Sequence, residues 1–179
     1  EHLKKQKYNV LVTFIGLPRT FDQNFPNIQK NLLNKHNKKK FKFDICVNTT
    51  FGEVENTEKR HNKNLNINKK IKHEMKKLYN TKCIINYKIN PNDANNNGTD
   101  INFLRVKNTF ENVHNQYDYY IFIRTDVKLN KEIDLEKYCL PDKISIILRD
   151  TLETGSDWSK SRDWDFFWIG KKNIFEEFM

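Results

Sequence analysis

The chain has 179 residues, enough for one domain with a real core, and it is read as a single domain over 1–179. Hydrophobic residues make up 37%, charged residues 31%, and the formal charge is +9. No apolar stretch is long enough to span a membrane, so no membrane span is expected, and the basic balance favours anionic partners.

Asn, Lys and Ile are common, whereas Gly and Pro are scarce. An AT-rich genome explains that bias, so composition is discounted as a sign of function. The chain shows no signal peptide and does not begin with Met, leaving open that it is part of a longer chain. Cys46, Cys83 and Cys139 are an odd count without metal-type spacing. Two fall in expected strands and read as small buried apolar groups, which points to a reducing compartment. Asn48-Thr49-Thr50 and Asn97-Gly98-Thr99 match the glycosylation pattern, as chance provides in an Asn-rich chain.

Residues 9–15 form the first expected strand, apolar on both faces, and end on Gly16-Leu17-Pro18-Arg19-Thr20. Residues 21–36 carry the first helix, with Pro26 in its first turn and an apolar stripe of Ile28, Leu32 and Leu33. The run from Lys35 to Lys42 reads as a solvated turn after that helix. A nucleic-acid surface would need basic residues interleaved with exposed aromatics on one face. The aromatics sit mostly inside apolar strands, so no nucleic-acid partner is expected.

Residues 43–49 form the second strand, and 51–65 are polar and irregular. Ile67, Ile71, Met75 and Leu78 repeat at helical spacing over 66–79, with lysines on the other face. A third strand covers 83–89. An Asn-rich loop over 91–98 precedes Thr99 or Asp100, either able to cap a helix marked by Phe103, Val106, Phe110 and Val113. Residues 119–123 are the most apolar strand, expected at the centre of the sheet, and run into Arg124-Thr125-Asp126. Residues 129–138 read as a short helix, 145–148 as a strand and 149–163 as a polar loop. A strand over 165–169 and a helix over 173–178 complete the chain. Strands alternating with helices predict βαβ units and a mainly parallel sheet.

Two strand endings carry the chemistry, because ligands of open α/β sheets bind beyond the carboxyl ends of the strands. The turn at Gly16–Thr20 precedes a helix, where backbone N–H groups and Arg19 suit a phosphate. It lacks the glycines of a Walker loop or a dinucleotide fingerprint. Asp126 stands where a carboxylate binds Mg²⁺ or Mn²⁺ bridging phosphate oxygens. Structural readings stand beside these: an ordinary strand–helix turn at Gly16–Thr20, and a capped turn with a paired arginine at Arg124–Asp126. Asp163-Trp164-Asp165 combines carboxylates able to act as a base with a Trp able to stack on a sugar; Trp158 sits in the preceding loop. The five histidines share no ligand spacing, and no nucleophilic triad is present.

Taken in order, Gly16-Leu17-Pro18-Arg19-Thr20-Phe21, Phe43-Asp44-Ile45-Cys46-Val47-Asn48-Thr49, Tyr117 through Asp126, and Asp165 through Gly170 form a recognisable series. The series resembles the glycosyltransferase-like proteins of bacteria and large DNA viruses. Those begin on G-x-x-R-T-F, carry a Y-D-x-x-I-R-x-R-x-D centre and end on D-x-F-x-x-G. The resemblance implies a GT-A-type fold, a Rossmann-like three-layer α/β sandwich with a mainly parallel central sheet. It also implies a nucleotide-sugar donor, UDP- or GDP-linked, a glycan or small-molecule acceptor, and Mn²⁺ or Mg²⁺. Gly16, Leu17, Arg19, Thr20, Arg124 and Thr125 would line the nucleotide and diphosphate pocket, and Asp126 would hold the metal. Asp165 and Asp163 would be catalytic, and Trp158 and Trp164 would contact sugar or acceptor. The central motif departs from the family's acidic pair, since position 124 is Arg, which puts metal dependence in question. A cytoplasmic location is expected, in the host cytoplasm for a viral protein. The alternatives are another nucleotide-using transferase, such as a nucleotidyltransferase, and a non-catalytic basic binding module.

Overall fold

The structure is a computed structural model, and it describes residues 7–18, 20–50, 69–88, 98–147, 152–153 and 167–179. Strand β1 (Tyr8–Ile15) alternates between two cores: Val10, Val12 and Phe14 enter one, Leu11 and Ile15 the other. A strand apolar on both faces must be covered on both. Helices α1 (Phe21–Asn31) and α3 (Lys69–Tyr79) cover the first face with Phe21, Phe25, Ile28, Met75 and Tyr79. Helices α4 (Gly98–Asn112) and α5 (Lys172–Phe178) cover the second with Val106, Phe110 and Phe175. Each large apolar side chain buried this way contributes roughly 1.5–3 kcal/mol.

The remaining strands are β2 (Phe41–Thr49), β3 (Cys83–Asn86), β4 (Tyr119–Arg124), β6 (Ser145–Ile146) and β8 (Phe167–Gly170). They form one six-stranded sheet in the order β3-β2-β1-β4-β8-β6. The first four run parallel; β8 is antiparallel to both β4 and β6. The fold is thus α/β with a mostly parallel mixed sheet, and the strand expected at the centre is there. Strands β5 (Lys128–Leu129) and β7 (Leu152–Glu153) make a separate two-stranded sheet.

Several local expectations are corrected. Helix α1 stops at Asn31, and a short helix α2 (Asn37–Lys40) follows. Asparagine side chains cause the break. Asn34 Oδ1 accepts from the Asn37 amide at 2.8 Å, and buried Asn37 donates to the Leu32 and Ile133 carbonyls, each at 2.7 Å. Such side-chain bonds compete with helical ones. Pro26 lies inside α1, beyond its first turn. Thr99 and Asp100 fall within α4, which already begins at Gly98. Residues 129–138 hold the end of β5 and one 3₁₀ turn, Leu135–Lys137, capped by Asp134.

Leu129 is extended in β5, and α1 supplies hydrogen bonds to it. Asn27 donates to the Leu129 carbonyl at 3.0 Å and accepts from the Leu129 amide at 2.7 Å, and Asn31 donates to the same carbonyl at 3.0 Å. Cys46 and Cys83, expected to be separate apolar groups, face each other across β2 and β3 with Cα atoms 4.7 Å apart and form a disulfide. Joined cysteines are no sign of a reducing compartment. Among the described residues, no helix is long and apolar enough to cross a membrane.

Candidate functional site

Strands β2 and β3 lie on one side of β1, while β4 lies on the other. The order therefore reverses between β1 and β4, and in such sheets ligands occupy the crevice beyond the carboxyl ends at that point. β1 and β4 are parallel, with Ile15 opposite Arg124. Both candidate turns consequently leave the sheet at the same edge.

Two side chains fasten these turns together, and a third ties the first turn to β2. Thr49, at the end of β2, donates to the Gly16 carbonyl at 2.5 Å. The Thr125 hydroxyl donates to the Leu17 carbonyl, and the Thr125 amide donates to Ile15 at 3.1 Å. Asn24, in the first turns of α1, donates to the Thr20 hydroxyl at 2.8 Å and to the Thr125 carbonyl at 3.4 Å. Gly16 has φ +97°, left-handed backbone that glycine adopts without strain. A Cβ placed on it would stand 3.9 Å from Arg124 Cγ.

Arg124 grips Asp126 two residues on. Its Nε donates to Oδ1 at 2.9 Å and its Nη2 to Oδ2 at 2.6 Å. Both side chains are about three-quarters covered, at 24% and 25% exposure. This two-pronged pairing fixes the guanidinium plane against the Asp126 carboxylate. The Arg124–Asp126 pairing expected as a structural reading is thus present, on the same edge as the Gly16 turn.

Of the residues expected at the site, Gly16, Leu17, Thr20, Arg124, Thr125 and Asp126 come together here. Leu17 and Thr125 are buried and hold the turns to one another, while Thr20, Arg124 and Asp126 are part-exposed. Arg19, Trp158, Asp163, Trp164 and Asp165 lie outside the described residues. Among the described residues the donor set does not fit a resident Mn²⁺ or Mg²⁺. The site offers one carboxylate, and Arg124 engages both of its oxygens, whereas such ions use free carboxylates together with phosphates. Elsewhere, His36, Asp134 and Glu136 bring ligand-type atoms within 4.8 Å of one another, but Lys137 and Lys40 pair with those carboxylates.

Sequence reasoning missed the supporting residues. Asn24 had a readable signal, its i,i+4 spacing from Thr20 across a helix start. Arg105 had none. It is 2% exposed on α4 and donates to Asn102 at 3.1 Å and to the Thr50 hydroxyl, just past β2, at 3.2 Å. Asn48, also buried, donates to the Arg105 carbonyl at 2.8 Å and the Thr109 hydroxyl at 2.9 Å, which ties α4 to the same sheet edge. No model of a protein family matches the chain, and no curated protein matches it.

Proposed function

We propose that the chain is a GT-A-type glycosyltransferase domain that moves a sugar from a UDP- or GDP-linked donor to a hydroxyl of a glycan or other acceptor. One observation supports the reading: the reversal of strand order between β1 and β4 sets the Gly16 turn and Arg124 side by side at the carboxyl ends of the strands. In the reaction the bond from the anomeric carbon to the diphosphate oxygen breaks, and a bond to the acceptor oxygen forms. The acceptor's proton passes to a carboxylate, for which Asp165 and Asp163 are the candidates. The departing diphosphate gathers negative charge, and fixed cations at its oxygens lower the barrier. Arg124 and Arg19 supply that charge in this reading, and Asp126 orients Arg124. The basic chain, at +9, suits such a ligand.

A thermal-shift panel of nucleotides tests the proposal. Free ligand at about a hundred times Kd stabilises a fold by about 2.7 kcal/mol. UDP or GDP is expected to raise the melting temperature, and Arg124→Ala to reduce the rise. No shift with any nucleoside diphosphate, with the fold intact, ends the proposal. Stabilisation by triphosphates alone would favour a nucleotidyltransferase instead.

A further inference from the structure

The starts of β1 and β2 pair side by side, Tyr8 with Phe41, at the sheet edge opposite the Gly16 turn. Beside them opens a cleft of about 640 Å³ lined by Lys7, Asn9, Lys38, Phe41, Lys42 and Phe43. Half of that lining is lysine and none is acidic. All three lysines are exposed, and none makes an ion pair among the described residues. The Lys7 ammonium instead donates to the Lys38 carbonyl at 2.8 Å, which holds the start of β1 against α2. Like charges gathered in one hollow repel, and an anionic occupant relieves that repulsion.

An exposed aromatic ring outside that lining touches one of its residues. Tyr8 is 52% exposed, and its ring centroid lies 5.9 Å from that of Phe41, a lining residue, and 5.9 Å from that of Tyr119. Lys171 adds a further cation 5.9 Å from the Tyr119 ring. Basic side chains with an exposed aromatic nearby are what a strand with unpaired bases requires. The expectation of no nucleic-acid partner rested on aromatics confined to strand interiors, and Tyr8 stands outside that rule.

We propose that this cleft binds single-stranded nucleic acid, with Lys7, Lys38 and Lys42 on successive phosphates and one base against Tyr8. A duplex hides its base faces, and a plain polyanion has none, so neither would use the ring. The inference stands independently of the glycosyltransferase reading. The two sites lie at opposite ends of β1, which at about 3.3 Å per residue is roughly 23 Å.

Fluorescence anisotropy on the whole chain tests this, using a labelled oligothymidylate of roughly 15 nucleotides, a duplex of equal length and inorganic polyphosphate. The oligothymidylate is expected to bind tightest. Lys38→Gln and Lys42→Gln should each flatten the slope of log affinity against log salt by about 0.7. Tyr8→Ala should weaken the oligothymidylate roughly fivefold or more, leave polyphosphate unchanged, and be rescued by Tyr8→Phe. Equal loss for polyphosphate, indifference to Tyr8→Ala, unchanged slopes, or a duplex or polyphosphate that binds as tightly as the single strand would each overturn the proposal.

Discussion

The hydroxyl of Thr125 donates to the carbonyl of Leu17, so the turn after β4 is tied to the turn after β1. Both residues are buried, at 2% and 8% exposure. Thr125→Val keeps the branched shape and removes the donor, leaving a covered carbonyl without its partner. Such a loss costs about 1–3 kcal/mol. Urea unfolding should report that decrease, and UDP or GDP affinity should fall with it as the Gly16 turn loosens. An unchanged midpoint would show that the bond does not matter.

Arg124→Ala tests the diphosphate role directly. Hydrogen bonds to charged groups contribute about 1.5–3 kcal/mol each, so affinity for UDP or GDP should drop at least roughly tenfold. Arg124→Lys should recover only part of it, because an ammonium cannot reproduce the planar fork held by Asp126. Calorimetry giving wild-type affinity for the alanine variant would remove Arg124 from the site.

Asp126→Ala should lower donor turnover while leaving the fold largely intact, since the carboxylate is part-exposed and its partner is the neighbouring guanidinium. Nucleotide affinity should fall less than in Arg124→Ala, because the cation remains and only its orientation is lost. Turnover at the wild-type rate would take Asp126 out of the mechanism.

The parallel core was readable because a strand buried on both faces is a continuous apolar run, and residues 9–15 and 119–123 are two such runs. The direction of β8 was not readable, since the apolar pattern of Phe167–Gly170 is the same whichever way the strand runs. The segment after β4 reads as helix in sequence, yet Leu129 is held by asparagine side chains on α1 and by strand β7, neither of which its own apolar pattern shows. Attributing the Asn-rich composition to codon bias hid that role. At the site, the two strand endings were legible through their polar residues. Their fastenings were not: Thr49 and Thr125 both bond to backbone carbonyls, which no side-chain pattern reveals.

Gly16→Ala separates backbone strain from crowding. The nearest atom to a Cβ there is 3.9 Å away, so space is ample. The φ of +97° is the obstacle, and left-handed backbone costs an L-residue roughly 1–2 kcal/mol. The variant should lose about that much stability in denaturant titration. A more stable variant would mean that the turn adopts another conformation.

The Cys46–Cys83 bridge closes a loop with a sequence separation of 37. On chain-entropy grounds a loop of that size stabilises the fold by about 4 kcal/mol. Alkylation of unreduced, denatured protein should label Cys139 alone, the free cysteine. Cys46→Ser should then lower the unfolding midpoint under non-reducing conditions and have little effect in reductant. Labelling of all three thiols without reductant would show that the pair is not joined.

Alkaline pH should destabilise the fold in two stages. Burial pushes the Cys139 thiol from its ordinary 9.0 up to about 12, and burial followed by the charge of Asp22 pushes the Tyr79 hydroxyl well above its ordinary 10.0. Both groups are neutral when protonated, so the folded protein holds protons that the unfolded chain releases first. Stability is therefore complete below about pH 9, then falls as pH rises, Cys139 acting from about pH 9 to about pH 12 and Tyr79 adding above about pH 10. Urea midpoints measured across that range should decline accordingly. Cys139→Ala should flatten the first part of the decline and Tyr79→Phe the second. Midpoints constant to about pH 11 would show that neither group is buried as the fold places it.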